Sequence, residues 1–345
     1  MIHPNPARRD ALKRQAVLRH HDVAAEMGLP EAALVEAGLG QGAQRIDARP
    51  GRLIPAVGRL GTVMAVTRNR ACVIETIGSY QGFHDGAEVA AVRNAQIDLH
   101  IDPRHWVYAF AVDLEGHRSV QIFDAAGDAV HKMHLRERSD HGAWQDLCRD
   151  LALPDARAAV AFTPRAAPEG ARMDAAQTEA LREGWAALTG PDQLDPLALR
   201  LGMNRLGACR QAAPPFARRL PAEAGTALLR AIRVQGLQVR LQVGNPGCRQ
   251  IHAGPIRSLR PMGPLLNVVD ARFSLHLRTD HLAELWRLEI PTPRGPVVSV
   301  EAFDAEGASV YRCWGMAEDE GGDPAAWLSL VEGLGDAVDD PGDDR

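Results

Sequence analysis

The chain has 345 residues, of which 46% are apolar and 24% charged, with a formal net charge of −5; this is the composition of an ordinary globular protein of about two domains. That balance excludes a nucleic-acid partner held through clustered Lys and Arg, and no apolar run approaches the ~18 residues of a membrane helix. The five cysteines (Cys72, Cys148, Cys209, Cys248 and Cys313) are scattered without a C-x-x-C pair, so neither a disulfide framework nor a zinc knuckle is expected, and a reducing cytoplasm fits.

The first fifteen residues carry charge with no apolar stretch behind them, so no secretory signal is expected. Residues 5–40 are rich in Ala, Leu, Arg and Glu at helical spacing, which predicts helix. Residues 61–135 alternate and are β-branched, which predicts strands. Within them Asp124-Ala-Ala-Gly-Asp128 separates two strand-like runs; Gly127 takes positive φ at little steric cost, so the segment predicts a hairpin. A short helix is expected around Trp144. Leu153 to Gly170 is Pro-rich and reads as a linker. Residues 173–235 return to helical spacing, with Leu181, Trp185 and Leu188 on one apolar face. Residues 236–316 are strand-like again, with a second hairpin at Asp304-Ala-Glu-Gly307 and a short helix expected around Trp327. The acidic end is expected to fray.

Three blocks of this pattern recur in the same order. Val63 to Cys72 matches Val239 to Cys248, Ile97-Asp-Leu-His-Ile matches Phe273-Ser-Leu-His-Leu, and Val120-Gln-Ile-Phe-Asp-Ala-Ala-Gly matches Val300-Glu-Ala-Phe-Asp-Ala-Glu-Gly. The spacing grows from 176 residues at Val63 and Val239 to 183 at Trp144 and Trp327. Collinear matches imply a duplication. The expected fold class is α+β: a tandem duplication in which each half is an antiparallel β-sheet flanked by α-helices. The expected division is a first repeat over 1–152, a linker over 153–172, a second repeat over 173–333 and an acidic tail over 334–345.

These motifs resemble the bacterial hemin-transport or hemin-degrading factor family, HemS/HmuS-like, of which the chain looks like a divergent member. The resemblance rests on Leu60-Gly-Thr-Val-Met-Ala-Val-Thr-Arg-Asn69, the two Phe-Asp-Ala-x-Gly hairpins, Val243-Gly-Asn-Pro-Gly-Cys-Arg-Gln-Ile-His-Ala-Gly-Pro-Ile256 and Phe273-Ser-Leu-His-Leu-Arg278. It spans about residues 20–332. It implies a cytoplasmic protein that receives hemin from an importer and hands it on or opens its ring. It also implies haem in the second half, with one axial histidine and basic residues on the propionates.

The family's axial histidine follows a Trp in the second helical segment, and here that position falls on Asp192 in Trp185-Ala-Ala-Leu-Thr-Gly-Pro-Asp192. A carboxylate is a hard, poor replacement for imidazole on haem iron, and Pro191-Asp192 also reads as a helix cap or turn. Arg205 matches the propionate-contacting arginine, since a guanidinium grips a carboxylate in bidentate fashion. Arg200 and Arg210, on the same helical stretch, are further candidates. His252, Cys209 and His276 are weaker candidates for the metal, with His281 behind them. Other family positions have also changed: Val73-Ile74-Glu75 stands where Val-His-Glu is usual, His100 where an Arg is usual, and Ile290 where a Lys precedes Pro-Thr.

His131 and His134 lie on a predicted strand, where i and i+3 face opposite ways, and the adjacent His20 and His21 do not face each other on a helix. There is no P-loop, G-x-G-x-x-G, H-E-x-x-H or G-x-S-x-G motif. Three readings stay open: a cytoplasmic haem-binding protein of hemin uptake, trafficking and iron acquisition; a ring-opening enzyme; and a haem-independent regulatory paralogue. The partners implied are hemin and a hemin importer or downstream haem acceptor, with no nucleic acid and no membrane insertion.

Overall fold

A computed structural model describes residues 23–335 apart from 25, 87 and 154–159. The helix expected over 5–22, the His20-His21 pair, residues 154–159 of the linker and the acidic end beyond 335 lie outside the described residues. The chain divides into two compact units. Unit 1 contains the described residues up to 68, with 74–166 and 244–250; unit 2 contains 69–73, 167–243 and the described residues from 251.

The first half of the chain gives α1 (Glu31–Glu36), β1 (Ala43–Ile46), α2 (Pro50–Gly58), β2 (Gly61–Arg68), β3 (Cys72–Gly78), β4 (Phe83–His84), β5 (Ala90–Arg93), β6 (Asp98–Ile101), β7 (Tyr108–Leu114), β8 (His117–Phe123), β9 (Ala129–Ser139) and α3 (His141–Asp150). Six of these strands run in the order β1-β7-β8-β9-β2-β3, and β4-β5-β6 form a meander. Strand β2 buries alternate residues, Val63, Ala65 and Thr67, as the two-residue strand period requires. Val63 and Ala65 meet Leu53, Ile54 and Val57 of α2, together with Val120, Ile122, Met133 and Trp144, in one core.

The second half gives α4 (Thr178–Ala186), α5 (Leu194–Arg200), α6 (Arg205–Ala212), β10 (Ala217–Leu220), α7 (Ala224–Gln235), β11 (Val239–Asn245), β12 (Cys248–Gly254), β13 (Arg260–Met262), β14 (Leu265–Val269), β15 (Phe273–Arg278), β16 (Glu284–Ile290), β17 (Val297–Phe303), β18 (Ser309–Gly315) and α8 (Pro324–Glu332). The order β10-β16-β17-β18-β11-β12 and the meander β13-β14-β15 repeat the first half element for element. Leu181, Trp185 and Leu188 are buried as their spacing predicts, in a core with Leu197, Leu206, Leu288 and Phe303, and the Trp185 indole N–H donates to the Glu289 carbonyl at 2.9 Å.

The duplication reaches the hairpins. The Asp124 carboxylate accepts from the N–H groups of Ala126 and Asp128, and the Asp304 carboxylate from those of Glu306 and Ala308. Gly127 and Gly307 have φ of 81° and 85°, the left-handed region that glycine enters at least cost. Both hairpins are where the sequence predicts them.

Strand β10 corrects the helical expectation over 173–235, and β1 and α2 fill residues 41–60, where the sequence predicts no element. Strands β1 and β10 and helix α2 do not follow from the spacing. Each strand is only four residues long and pairs along a partner more than sixty residues away, β1 with β7 and β10 with β16, so its strand character comes from tertiary pairing. Helix α2 starts on Pro50 and holds Pro55, and this proline content hid it.

Candidate functional site

In unit 2 the residues singled out for haem fall on or between the helices α4, α5 and α6, except His252 on β12 and His276 on β15. Asp192 is exposed in a 3-10 turn, Pro191–Gln193, whose N-cap position is Gly190 and has no side-chain cap bond. Asp192 is thus two positions past the cap, inside the turn that the sequence offered as the alternative to a helix cap.

Arg205 opens α6, just after Asn204, whose side chain accepts the Gly207 N–H. Its guanidinium is buried. Nε donates to Glu301 Oε2 at 2.6 Å and Nη2 to Oε1 at 2.7 Å, while Nη1 donates to Asp195 Oδ1 at 2.9 Å. Arg312 reaches Asp195 at 3.4 Å, and Ser299 Oγ lies 3.3 Å from Glu301 Oε1. Burial alone raises the Glu301 carboxyl, but Arg205 and Arg312 outweigh it and hold the group below its ordinary value. Two guanidinium groups and two carboxylates make a charge-balanced cluster. The bidentate grip expected for a propionate is therefore already occupied by Glu301.

The other candidates are placed apart. Arg200 is exposed in the last turn of α5, a different helix from Arg205, which corrects the single stretch expected. Arg210, on α6, pairs with Glu284, whose carboxylate also accepts the Trp286 indole N–H at 3.1 Å. Cys209 is fully buried, and burial pushes its thiol up, away from the thiolate that binds metal. His252 stacks on Phe273 with ring centroids 3.6 Å apart, its Nε2 is 3.3 Å from the Pro255 carbonyl, and burial takes it down to about 4. His276 holds Asn267 Oδ1 at 2.7 Å through Nδ1. Ile74 and Ile290 are core side chains. Among the described residues no group of three or more His, Cys, Asp and Glu is placed to hold a metal ion.

The equivalent place in unit 1 has its charges rearranged. There α1 begins on buried Glu31, which pairs with Lys132 and Arg68. Gln121, on β8, stands at the position of Glu301 on β17, and its Nε2 donates to Ser119 Oγ at 3.0 Å.

Unit 1 also carries an open concavity of about 580 Å³ that was not legible in the sequence. Its floor is half-buried Thr62, Ile77 and Leu135; its rim carries His117, Arg136, Arg138 and His141, with Glu137 between the arginines. Between Thr62 and the end of β9 the register slips, so that Gly61 pairs with Ser139 and Val63 with Leu135. Ser139 clamps this bulge, its Oγ accepting the Arg136 N–H at 2.8 Å and donating to the Thr62 carbonyl at 2.5 Å. Bulges re-aim side chains in this way.

The Haemin-degrading HemS.ChuX domain matches this chain twice, over residues 28–151 and 202–334. The chain belongs to this HemS/ChuX family. One domain copy lies in each half of the tandem duplication. The hemin transport protein HmuS of Yersinia pestis is 30% identical over 318 residues, covering 91% of this chain and 92% of that protein. The fold is similar to that of holo-PhuS, a heme-binding protein from Pseudomonas aeruginosa, with a TM-score of 0.90 and 36% identity over 96% of this chain and 98% of that one. It is also similar to ChuS, a heme degrading enzyme of Escherichia coli O157:H7, with a TM-score of 0.86 and 25% identity over 94% and 96% of the two chains. Among the described residues no helix of this family member is long and apolar enough to cross a membrane.

Proposed function

We propose that this protein is a haem-binding carrier of hemin uptake and iron acquisition, working in the cytoplasm between a hemin importer and a downstream acceptor. The observation that carries the reading is its end-to-end likeness to holo-PhuS at 36% identity. Haem degradation, the activity named for ChuS, is the second reading, here as ring opening. It requires iron firmly held while oxygen and electrons reach it, and unit 2 offers Asp192 where the family resemblance puts an imidazole. The thiol of Cys209 stays protonated, and the ring of His252 is taken up by stacking. A carrier tolerates weaker ligation because it must release its cargo. The test is titration of the apo-protein with hemin, followed at the Soret band, then exposure of the complex to ascorbate and oxygen with catalase present. A saturable band that survives the reductant supports the carrier. A saturable band that bleaches supports ring opening, and no saturable band refutes both.

A further inference from the structure

We propose that Asp195 is an internal competitor for the cargo: its carboxylate fills the place between Arg205 and Arg312 that a propionate of hemin takes on binding. Hemin enters by turning Asp195 out to water. The inference rests on the haem-binding reading and deepens it by naming what a propionate must displace.

The first argument is exposure. Glu301 is 2% exposed and Arg205 8%, whereas Asp195, on the other side of the same guanidinium, is 41% exposed. Removing one member of a buried ion pair is costly, and a half-exposed pair contributes little. Of the two carboxylates on Arg205, Asp195 is therefore the one that yields. It sits in the first turn of α5, and a change of side-chain rotamer takes it to solvent without moving the helix.

The second argument is fit. Arg205 Nη1 holds Asp195 Oδ1 at 2.9 Å, an ordinary length for a charge-assisted bond. Arg312 is served badly. Its Nη1 and Nη2 lie 3.4 and 3.5 Å from Asp195 Oδ2, and its Nε is buried without a hydrogen-bond partner, 3.6 Å from Glu301 Oε2. A guanidinium holds a carboxylate at about 2.7–2.9 Å when the geometry allows. The short side chain of Asp195, fixed to α5, does not close on both arginines. A propionate has a longer arm and arrives from solvent, so it can take the Arg205 Nη1 contact and settle on Arg312 at full strength.

The third argument is charge. Arg205 and Arg312 balance Glu301 and Asp195. A propionate entering beside Asp195 would leave a carboxylate without a cation, and an unpaired charge out of water is costly. Exchange keeps the balance, because Asp195 takes its charge into solvent.

The experiment uses the full chain. Wild type, Asp195→Asn and Asp195→Ser are titrated with hemin and with hemin dimethyl ester, whose carboxylates are masked, and followed at the Soret band. Serine is included because an asparagine oxygen can still accept from Arg205, and circular dichroism checks that both variants fold. The expected result is that both variants bind hemin roughly tenfold more tightly than wild type and bind the ester with unchanged affinity. Hemin affinity that is unchanged or weaker in the folded variants overturns the competitor and leaves the function standing. Equal tightening for hemin and ester also overturns it, because the effect then does not pass through the carboxylates. No saturable hemin band in wild type and variants alike overturns the function itself.

Discussion

Arg205 and Glu301 lie fork to fork, with Nε and Nη2 of the guanidinium 2.6 and 2.7 Å from the two carboxylate oxygens. Both side chains are buried, and Asp195 and Arg312 close the cluster. Removing one member of such a pair strands the other's charge away from water, at a cost of ~3–5 kcal/mol. Arg205→Ala is expected to lose stability in that range, measured by urea unfolding. Arg205→Met combined with Glu301→Leu should recover most of it, because no charge is then left unpaired. A single variant as stable as wild type would mean that water already reaches the pair.

The acid response follows from three histidines. Burial takes His131 down to about 3, and His134 and His252 down to about 4. In the unfolded chain each returns to ~6.5. Between those limits the unfolded state binds more protons than the folded state. Their contribution to stability is therefore fully present above pH 6.5 and is lost as the pH falls toward 4 and then 3. His131 alone should account for about 3 kcal/mol between pH 6.5 and pH 4. Urea midpoints measured across this range check the slope, and His131→Gln should flatten it.

Part of this architecture is written locally and part is not. The two hairpins are legible because Asp124 with Gly127, and Asp304 with Gly307, carry the whole turn within five residues. The duplication is legible for the same reason. Strands β1 and β10 are not, because four residues between helical segments show no period, and only β7 and β16 make strands of them. Arg205 stood out through the family resemblance, but its partner Glu301 is 96 residues away, and nothing in the local sequence says that the guanidinium is already engaged. The concavity was missed because Arg136-Glu-Arg138 looks like an ordinary charged strand end. The available signal was Ser139 beside the Asp140 cap, which marks where β9 stops pairing evenly and bulges.

Gly127 separates conformational strain from packing. It shares positive φ with Gly40, at 81° and 75°. A Cβ at Gly40 meets nothing within 4 Å, whereas one at Gly127 meets Pro30 Cβ at 2.7 Å and Phe162 Cδ1 at 2.9 Å. Gly40→Ala is expected to cost about 1 kcal/mol, the backbone penalty alone. Gly127→Ala should cost more by ~1–3 kcal/mol, the overpacking term. Parallel thermal unfolding of the two variants measures the difference; equal losses would mean that the Phe162 segment moves aside freely.

The polar chain buried in unit 1 fixes one tautomer. Gln250 Nε2 lies 3.4 Å from the Ala65 carbonyl, which only accepts, and 3.1 Å from Thr76 Oγ1. The amide oxygen therefore faces Thr67, 2.8 Å away, and Thr67 must donate its hydroxyl proton to it. The Thr67 oxygen is then left to accept from His131 Nδ1, at 2.8 Å. His131 carries its proton on Nδ1, and its Nε2 lone pair accepts the Tyr80 hydroxyl. The ring also lies near-parallel to Trp106, with centroids 6.2 Å apart. Nitrogen NMR of the imidazole should report a neutral Nδ1–H ring at pH 7. Tyr80→Phe leaves Nε2 buried without a donor and should cost ~1–3 kcal/mol. A spectrum showing the Nε2–H form would reverse the chain of donors and put the Gln250 amide the other way round.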